Sequence, residues 1–167
     1  LQADAVVLPG VGSGDSAMRG LRSRGLVEPL REFAASGKPF LGVCLGLQLL
    51  MDTTDEGNVS CLGIVHGKTE RLPGDLKVPH MGWNQVRFTR ESSLFEGIPD
   101  NADFYFVHSY YGEPSDEELI AGVTEYGIPF CSAIVRDRLI ATQFHPEKSG
   151  ILGLKIYENF VRLAGRS

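Results

Sequence analysis

The chain has 167 residues, a formal net charge of −5 and a hydrophobic fraction of 43%, which suits one core in one domain spanning residues 1–167. The acidic balance argues against a nucleic-acid binder, which presents a basic face. No apolar run approaches the roughly 18 residues of a membrane span, and no secretory leader is visible.

The apolar run Ala5-Val6-Val7-Leu8 ends at Pro9-Gly10 and reads as a strand buried on both faces. A Gly-rich turn, Gly10-Val11-Gly12-Ser13-Gly14, follows. Ala17, Met18, Leu21, Leu26, Val27, Leu30, Phe33 and Ala34 then recur at helical spacing, with Gly25 and Pro29 as breaks and Gly37 as a C-cap. Pro39-Phe40-Leu41-Gly42-Val43 is a second buried strand, entering Cys44-Leu45-Gly46 and a helical stretch to Met51. Strand, helix, strand, helix is the mark of an α/β sheet.

Further strands are expected over residues 63–72, 77–88 and 103–111. Three more, over 119–125, 129–136 and 139–144, resemble antiparallel neighbours, the last two joined at Asp137. The chain closes on a helix over 150–164 whose apolar residues are Ile151, Leu154, Ile156, Tyr157, Phe160, Val161 and Leu163.

Gly42-Val43-Cys44-Leu45-Gly46 is a GxCxG elbow, the thiol counterpart of GxSxG. A nucleophile on a tight strand-to-helix turn needs small residues two positions before and after it. The helix N-terminus favours the thiolate, and the Leu45 N–H can serve an oxyanion. Cys61 and Cys131 lack this setting, and Cys131 reads as core. Three cysteines without CxxC spacing suggest neither a disulfide framework nor a zinc site. A reducing cytoplasm is the simplest compartment.

His145 lies where the last strand runs out, in Gln143-Phe144-His145-Pro146-Glu147-Lys148. In extended backbone i and i+2 point the same way, so Glu147 can orient His145 while His145 faces Cys44. This is the logic of a nucleophile, a base and an orienter. His108, in an aromatic strand, is either a satisfied core histidine or a functional one. His66 carries no clear role.

An elbow Cys44 followed about a hundred residues later by His145-Pro146-Glu147 resembles the class I glutamine amidotransferases. Pro9-Gly10-Val11-Gly12, Pro79-His80-Met81-Gly82-Trp83-Asn84, Phe106-Val107-His108-Ser109-Tyr110 and the segment from Gln143 to Gly150 resemble, within them, the glutaminase subunits of imidazole glycerol phosphate synthase. The resemblance spans essentially the whole chain. It implies a three-layer α/β fold, mostly parallel with an antiparallel region.

It also implies hydrolysis of L-glutamine through Cys44, His145 and Glu147, with no metal or organic cofactor. Val11 and Leu45 would supply the oxyanion hole. Gly10, Gly12, Gln48 and Glu56 would serve the substrate. His80, Trp83 and Lys148 match interface or gating positions toward a (β/α)₈-barrel cyclase partner, which would take the ammonia in histidine biosynthesis. Glycines flanking Val11 make a peptide reorientation cheap, so basal activity is expected to be low and to rise with the partner. The other readings are a glutaminase for another acceptor pathway, a catalytically silent regulatory subunit, and a cysteine peptidase.

Two departures stand out. The family opens with a further βα unit, so the chain, beginning at Leu1, is expected to be N-terminally incomplete. Ser13-Gly14-Asp15-Ser16 replaces a stretch that usually carries an aromatic, which implies a looser loop behind the oxyanion strand.

Overall fold

The computed structural model describes residues 2–165. Leu1, on which the expectation of a lost unit rests, lies outside them. The first elements are β1 (Val6–Leu8), α1 (Gly14–Ser23), α2 (Val27–Ala35), β2 (Phe40–Val43) and α3 (Leu45–Leu49). Gly25, at φ +65°, separates the first two helices, and Gly37, at φ +74°, follows the second. Pro29 does not break α2. It stands in the first turn, where a missing N–H forfeits no intrahelical bond. α3 is shorter than its apolar pattern suggests and stops at Leu49.

The remainder comprises β3 (Thr53–Thr54), β4 (Val59–Ser60), β5 (Gly67–Arg71), β6 (His80–Phe88), β7 (Ala102–His108), β8 (Tyr110–Pro114), β9 (Ile120–Glu125), β10 (Pro129–Arg136), β11 (Leu139–Thr142) and α4 (Gly150–Ala164). The single strand expected over 103–111 is two. The chain parts at Ser109, and β7 and β8 enter different sheets.

One sheet runs β1-β2-β11-β10-β9-β6-β7, and a second runs β4-β3-β5-β8. In the larger sheet β1, β2 and β11 are mutually parallel, and the remaining pairings are antiparallel. The antiparallel region is thus the larger part, and the parallel block is the part that carries Cys44 and His145. Leu41 and Val43 of β2 join one core with Ile156 and Phe160 of α4. Phe40 faces the other core with Phe33 of α2 and Leu47 of α3. Period-two alternation along β2 therefore puts helices on both faces of the sheet.

The apolar stripe assigned to α4 is wider than its buried stripe. Ile156 and Phe160 are buried, whereas Ile151, Leu154 and Val161 are exposed. Asn159 completes the buried face, its Nδ2 donating to the carbonyls of Leu94 at 2.7 Å and Glu96 at 2.9 Å. A helical period identifies a helix; it does not say how much of each face is covered.

Candidate active site

The carboxyl ends of β2 and β11 lie side by side, Val43 opposite Thr142. Ligands of open α/β sheets gather outside such ends. Cys44 follows Val43 directly, and its N–H donates to the Thr142 carbonyl at 2.7 Å. The elbow is strained as expected: Cys44 takes φ 54°, ψ −108°, outside the regions L-residues favour. A methyl group at Gly42 would stand 3.0 Å from the Gly46 carbonyl, and one at Gly10 would stand 2.9 Å from Leu45 Cβ.

Cys44 is buried. Burial pushes its thiol up to about 11, opposed first by a hydrogen bond from the Leu45 N–H. Because α3 has only five residues, this one N–H matters more than any helix dipole. The thiol faces the Val107 carbonyl at 3.8 Å, and the Gln143 Nε2 donates to Sγ at 3.6 Å.

His145 is 2% exposed. Its backbone is fixed at both ends, N–H to the Tyr105 carbonyl at 2.9 Å and carbonyl from Ser149 Oγ at 2.6 Å. Nδ1 lies 2.6 Å from Glu147 Oε1. The route differs from the extended one expected, since Pro146–Lys148 form a 3₁₀ turn, for which Pro146 has the right φ. Burial works against the Glu147 charge, but the His145 hydrogen bond and the other local donors outweigh it and hold this carboxyl below its ordinary value. An ionised Glu147 makes Nδ1 the protonated nitrogen. In the neutral tautomer that this favours, Nε2 is the acceptor, and it is buried without a hydrogen-bond partner among the described residues. A thiol and an unpartnered imidazole nitrogen at one cavity, with an N–H at the sulfur, form an arrangement that can support acyl transfer.

Cys44 and His145 line one cavity of about 360 Å³ with Val11, Gly12, Leu45, Gln48, Glu56 and Lys148. A larger hollow of about 800 Å³ between Phe88 and Asp100 contains no thiol or imidazole. Gly10 does not reach the smaller cavity; it backs onto Leu45 and lines a neighbouring hollow. Gly12 sits at φ +93°, and Val11 is 81% exposed. Glu56 Oε2 accepts the Gly14 N–H at 2.6 Å, and Ser13 Oγ caps α1 by accepting from Ser16. The stretch without the aromatic is thus tied down at two points.

His80 is not a surface residue. Strand pairing sets it opposite His108, its ring stacked on Phe106 and Tyr126. Trp83 is exposed at 58% and meets Tyr105 edge-on at 6.0 Å. The Lys148 Nζ lies 5.9 Å from the same Tyr105 ring. Trp83, Tyr105 and Lys148 therefore form a strip from the sheet surface to the cavity. Sequence reasoning missed Gln143, which is fully buried, and the Tyr110 carbonyl, which accepts Gln48 Nε2 at 2.7 Å. The available signal for Gln143 was its place two residues before His145.

The chain matches the family Glutamine amidotransferase class-I over residues 2–163. It is 52% identical over 165 residues to the imidazole glycerol phosphate synthase subunit HisH of Dehalococcoides mccartyi strain CBDB1, covering 98% of this chain and 80% of that protein. It is 53% identical over 169 residues to the subunit of that name from Moorella thermoacetica, covering 99% of this chain and 80% of that one. Among solved structures it resembles a glutamine amidotransferase from Thermotoga maritima, with TM-score 0.67, 18% identity, and coverage of 96% of this chain and 63% of that one. It also resembles the glutaminase domain of Trypanosoma brucei CTPS with bound acivicin, with TM-score 0.68, 19% identity, and coverage of 99% and 72%. At those identities the structures speak for the fold alone.

Proposed function

Because the chain belongs to the class I glutamine amidotransferases, in the family of the imidazole glycerol phosphate synthase subunit HisH, we propose that Cys44, His145 and Glu147 are the triad of a glutaminase domain. The protein hydrolyses glutamine for imidazole glycerol phosphate synthase in histidine biosynthesis.

In this reading His145 Nε2 takes the thiol proton as Cys44 Sγ attacks the side-chain amide carbon of glutamine. The C–S bond forms, and the carbonyl electrons move onto oxygen, where the Leu45 and Val11 N–H groups receive them. His145 then delivers the proton to the amide nitrogen, the C–N bond breaks, and ammonia leaves a glutamyl thioester. Water, deprotonated by His145, releases glutamate and restores the thiol. Gln48 and Glu56 hold the amino-acid end, Glu56 complementing the α-ammonium. Gly12 supplies the backbone freedom that Val11 needs, and Gly10 lets that strand lie against Leu45.

The ammonia passes to a partner subunit, which we take to be a (β/α)₈-barrel cyclase making imidazole glycerol phosphate and aminoimidazole carboxamide ribotide. Its docking strip is Trp83, Tyr105 and Lys148, continuous with the exposed Met81; His80 lies behind it. The cytoplasm suits three free thiols. Among the described residues no helix is long and apolar enough to cross a membrane.

The observation that carries this reading is the convergence of Cys44 and a Glu147-bound His145 at the ends of adjacent parallel strands. The test is glutamate release from glutamine by the full-length chain with its cyclase partner. Loss in Cys44→Ala, and dependence on the partner, are expected. Full activity in Cys44→Ala overturns it.

A further inference from the structure

Two donors converge on the Tyr110 carbonyl at the start of β8: Gln48 Nε2 at 2.7 Å and His108 Nδ1 at 2.8 Å. A backbone carbonyl carries no proton, so both atoms must bring one. The proton inventory of a whole buried chain follows from that fixed point.

On one side, His108 keeps Nε2 as an acceptor. His80 Nδ1, 2.9 Å away, must then donate. His80 Nε2 is left as the acceptor for Asn84 Nδ2 at 3.2 Å, whose other hydrogen goes to the Glu125 carbonyl at 2.9 Å. Each imidazole carries one proton, consistent with burial holding both neutral: His80 is pushed down to about 4 and His108 to about 3.

On the other side, the orientation of Gln48 is settled, because its amide nitrogen faces Tyr110. The second Gln48 hydrogen reaches Gln143 Oε1 at 3.2 Å. Gln143 must then turn its nitrogen toward Cys44 Sγ, 3.6 Å away. With Gln143 fully buried, solvent has little part in choosing that orientation; the chain chooses it.

We propose that Gln143 is a catalytic residue whose Nε2–H stabilises the Cys44 thiolate, and that the Tyr110 carbonyl, held by His108 and His80, fixes its orientation through Gln48. The proposal rests on the triad reading above. A hydrogen bond to a charged acceptor is worth roughly twice one to a neutral partner, so this donor favours the thiolate over the thiol. It joins the Leu45 N–H against the burial that keeps Cys44 protonated. Gln48 lines the cavity, so a residue that meets the substrate is one hydrogen bond from the residue that meets the sulfur.

The test is the pH profile of Cys44 alkylation by iodoacetamide in the full-length protein with its cyclase partner, read by mass spectrometry of the Cys44 peptide. Gln143→Met removes the donor at similar volume. Gln143→Glu keeps the shape and sets a carboxylate beside the sulfur, so one variant suffices should the other fail to fold. The alkylation midpoint is expected to rise by about one pH unit in the Met variant, a tenfold loss of thiolate at a given pH below the midpoint. It should rise further in the Glu variant. Glutaminase kcat should fall at least tenfold with KM for glutamine changed less. An unmoved midpoint in whichever of the two variants folds, or a rise confined to KM, overturns the proposal and leaves Gln143 a packing residue. An active Cys44→Ala overturns the triad reading, and this one with it. An inactive Cys44→Ala beside an unmoved midpoint overturns this one alone.

Discussion

The first turn of α3 rests directly on the backbone of β1: a methyl group at Gly46 would stand 1.9 Å from the carbonyl oxygen of Leu8. Neither atom is the end of a flexible side chain, so the overlap can be relieved only by moving β1 or the elbow. The second glycine of GxCxG is therefore a requirement of the strand beside Cys44 as well as of the turn itself.

Gly46→Ala is accordingly expected to destabilise the protein by roughly 3 kcal/mol, near the upper end of typical overpacking costs, and to abolish glutaminase activity by shifting the Leu45 N–H. Urea unfolding and glutamate release check both. Gly74→Ala is the control, because a methyl group there meets nothing within 4 Å, and it should change neither.

Glu147→Gln keeps the size of the side chain that holds His145 Nδ1 at 2.6 Å and removes its charge. In the proposed triad the imidazolium formed during thiol deprotonation would lose its counter-ion, and the amide can present either a donor or an acceptor to Nδ1, so the tautomer is no longer enforced. kcat should fall roughly a hundredfold, the low end of a general acid–base contribution. KM for glutamine should change little, because Glu147 lies outside the residues that line the cavity. Steady-state kinetics over pH 6 to 9 check it.

β1 and β2 were legible because they are short apolar runs that enter glycine-bearing turns, and the elbow because crowding makes glycines unavoidable around it; β11 read only as an antiparallel neighbour of β10, and its parallel pairing with β2 has no local signal. His145 with Glu147 was legible from spacing, although the backbone between them turns rather than extends. Three further things were not. Periodicity placed α4 but overstated its buried face, since Ile151, Leu154 and Val161 follow the period and remain exposed. His80 could be placed at a surface only until β6 and β7 were paired, which sets it against His108. Gln143 has only its place two residues before His145 as a local signal, and its meaning depends on Gln48 and Tyr110, far away in sequence and reached only through the fold.

The buried imidazoles give an acid limit to stability. Burial lowers His80 and His108 to about 4 and 3 from an ordinary 6.5, so the folded protein keeps them neutral while the unfolded chain protonates them from about pH 6.5 downward. The unfolded state then binds more protons, and stability falls with pH below 6.5 by up to about 1.4 kcal/mol per pH unit for each histidine. The loss continues down to the folded values. His108→Gln keeps one donor and one acceptor and should flatten this limb. Urea midpoints between pH 7 and 4.5, compared with wild type, decide it; equal slopes would place the acid sensitivity elsewhere.

Trp83 is the single tryptophan and stands 58% exposed beside Tyr105, so its emission reports directly on the proposed docking strip. In the isolated protein the spectrum should be that of a hydrated indole. Covering the strip with the proposed cyclase partner should shift it to the blue, and iodide quenching should drop at the same protein ratio at which glutaminase activity rises. Trp83→Ala removes an anchor of the kind that dominates interface energetics, and should weaken association by about 2 kcal/mol, roughly thirtyfold in Kd. More than half of the Trp83 surface is exposed in the subunit alone, so the variant's unfolding free energy from urea titration should stay within about 0.5 kcal/mol of wild type. A large loss of subunit stability would mean that Trp83 belongs to the fold rather than to the partner. Unchanged affinity with unchanged emission would move the docking face away from β6.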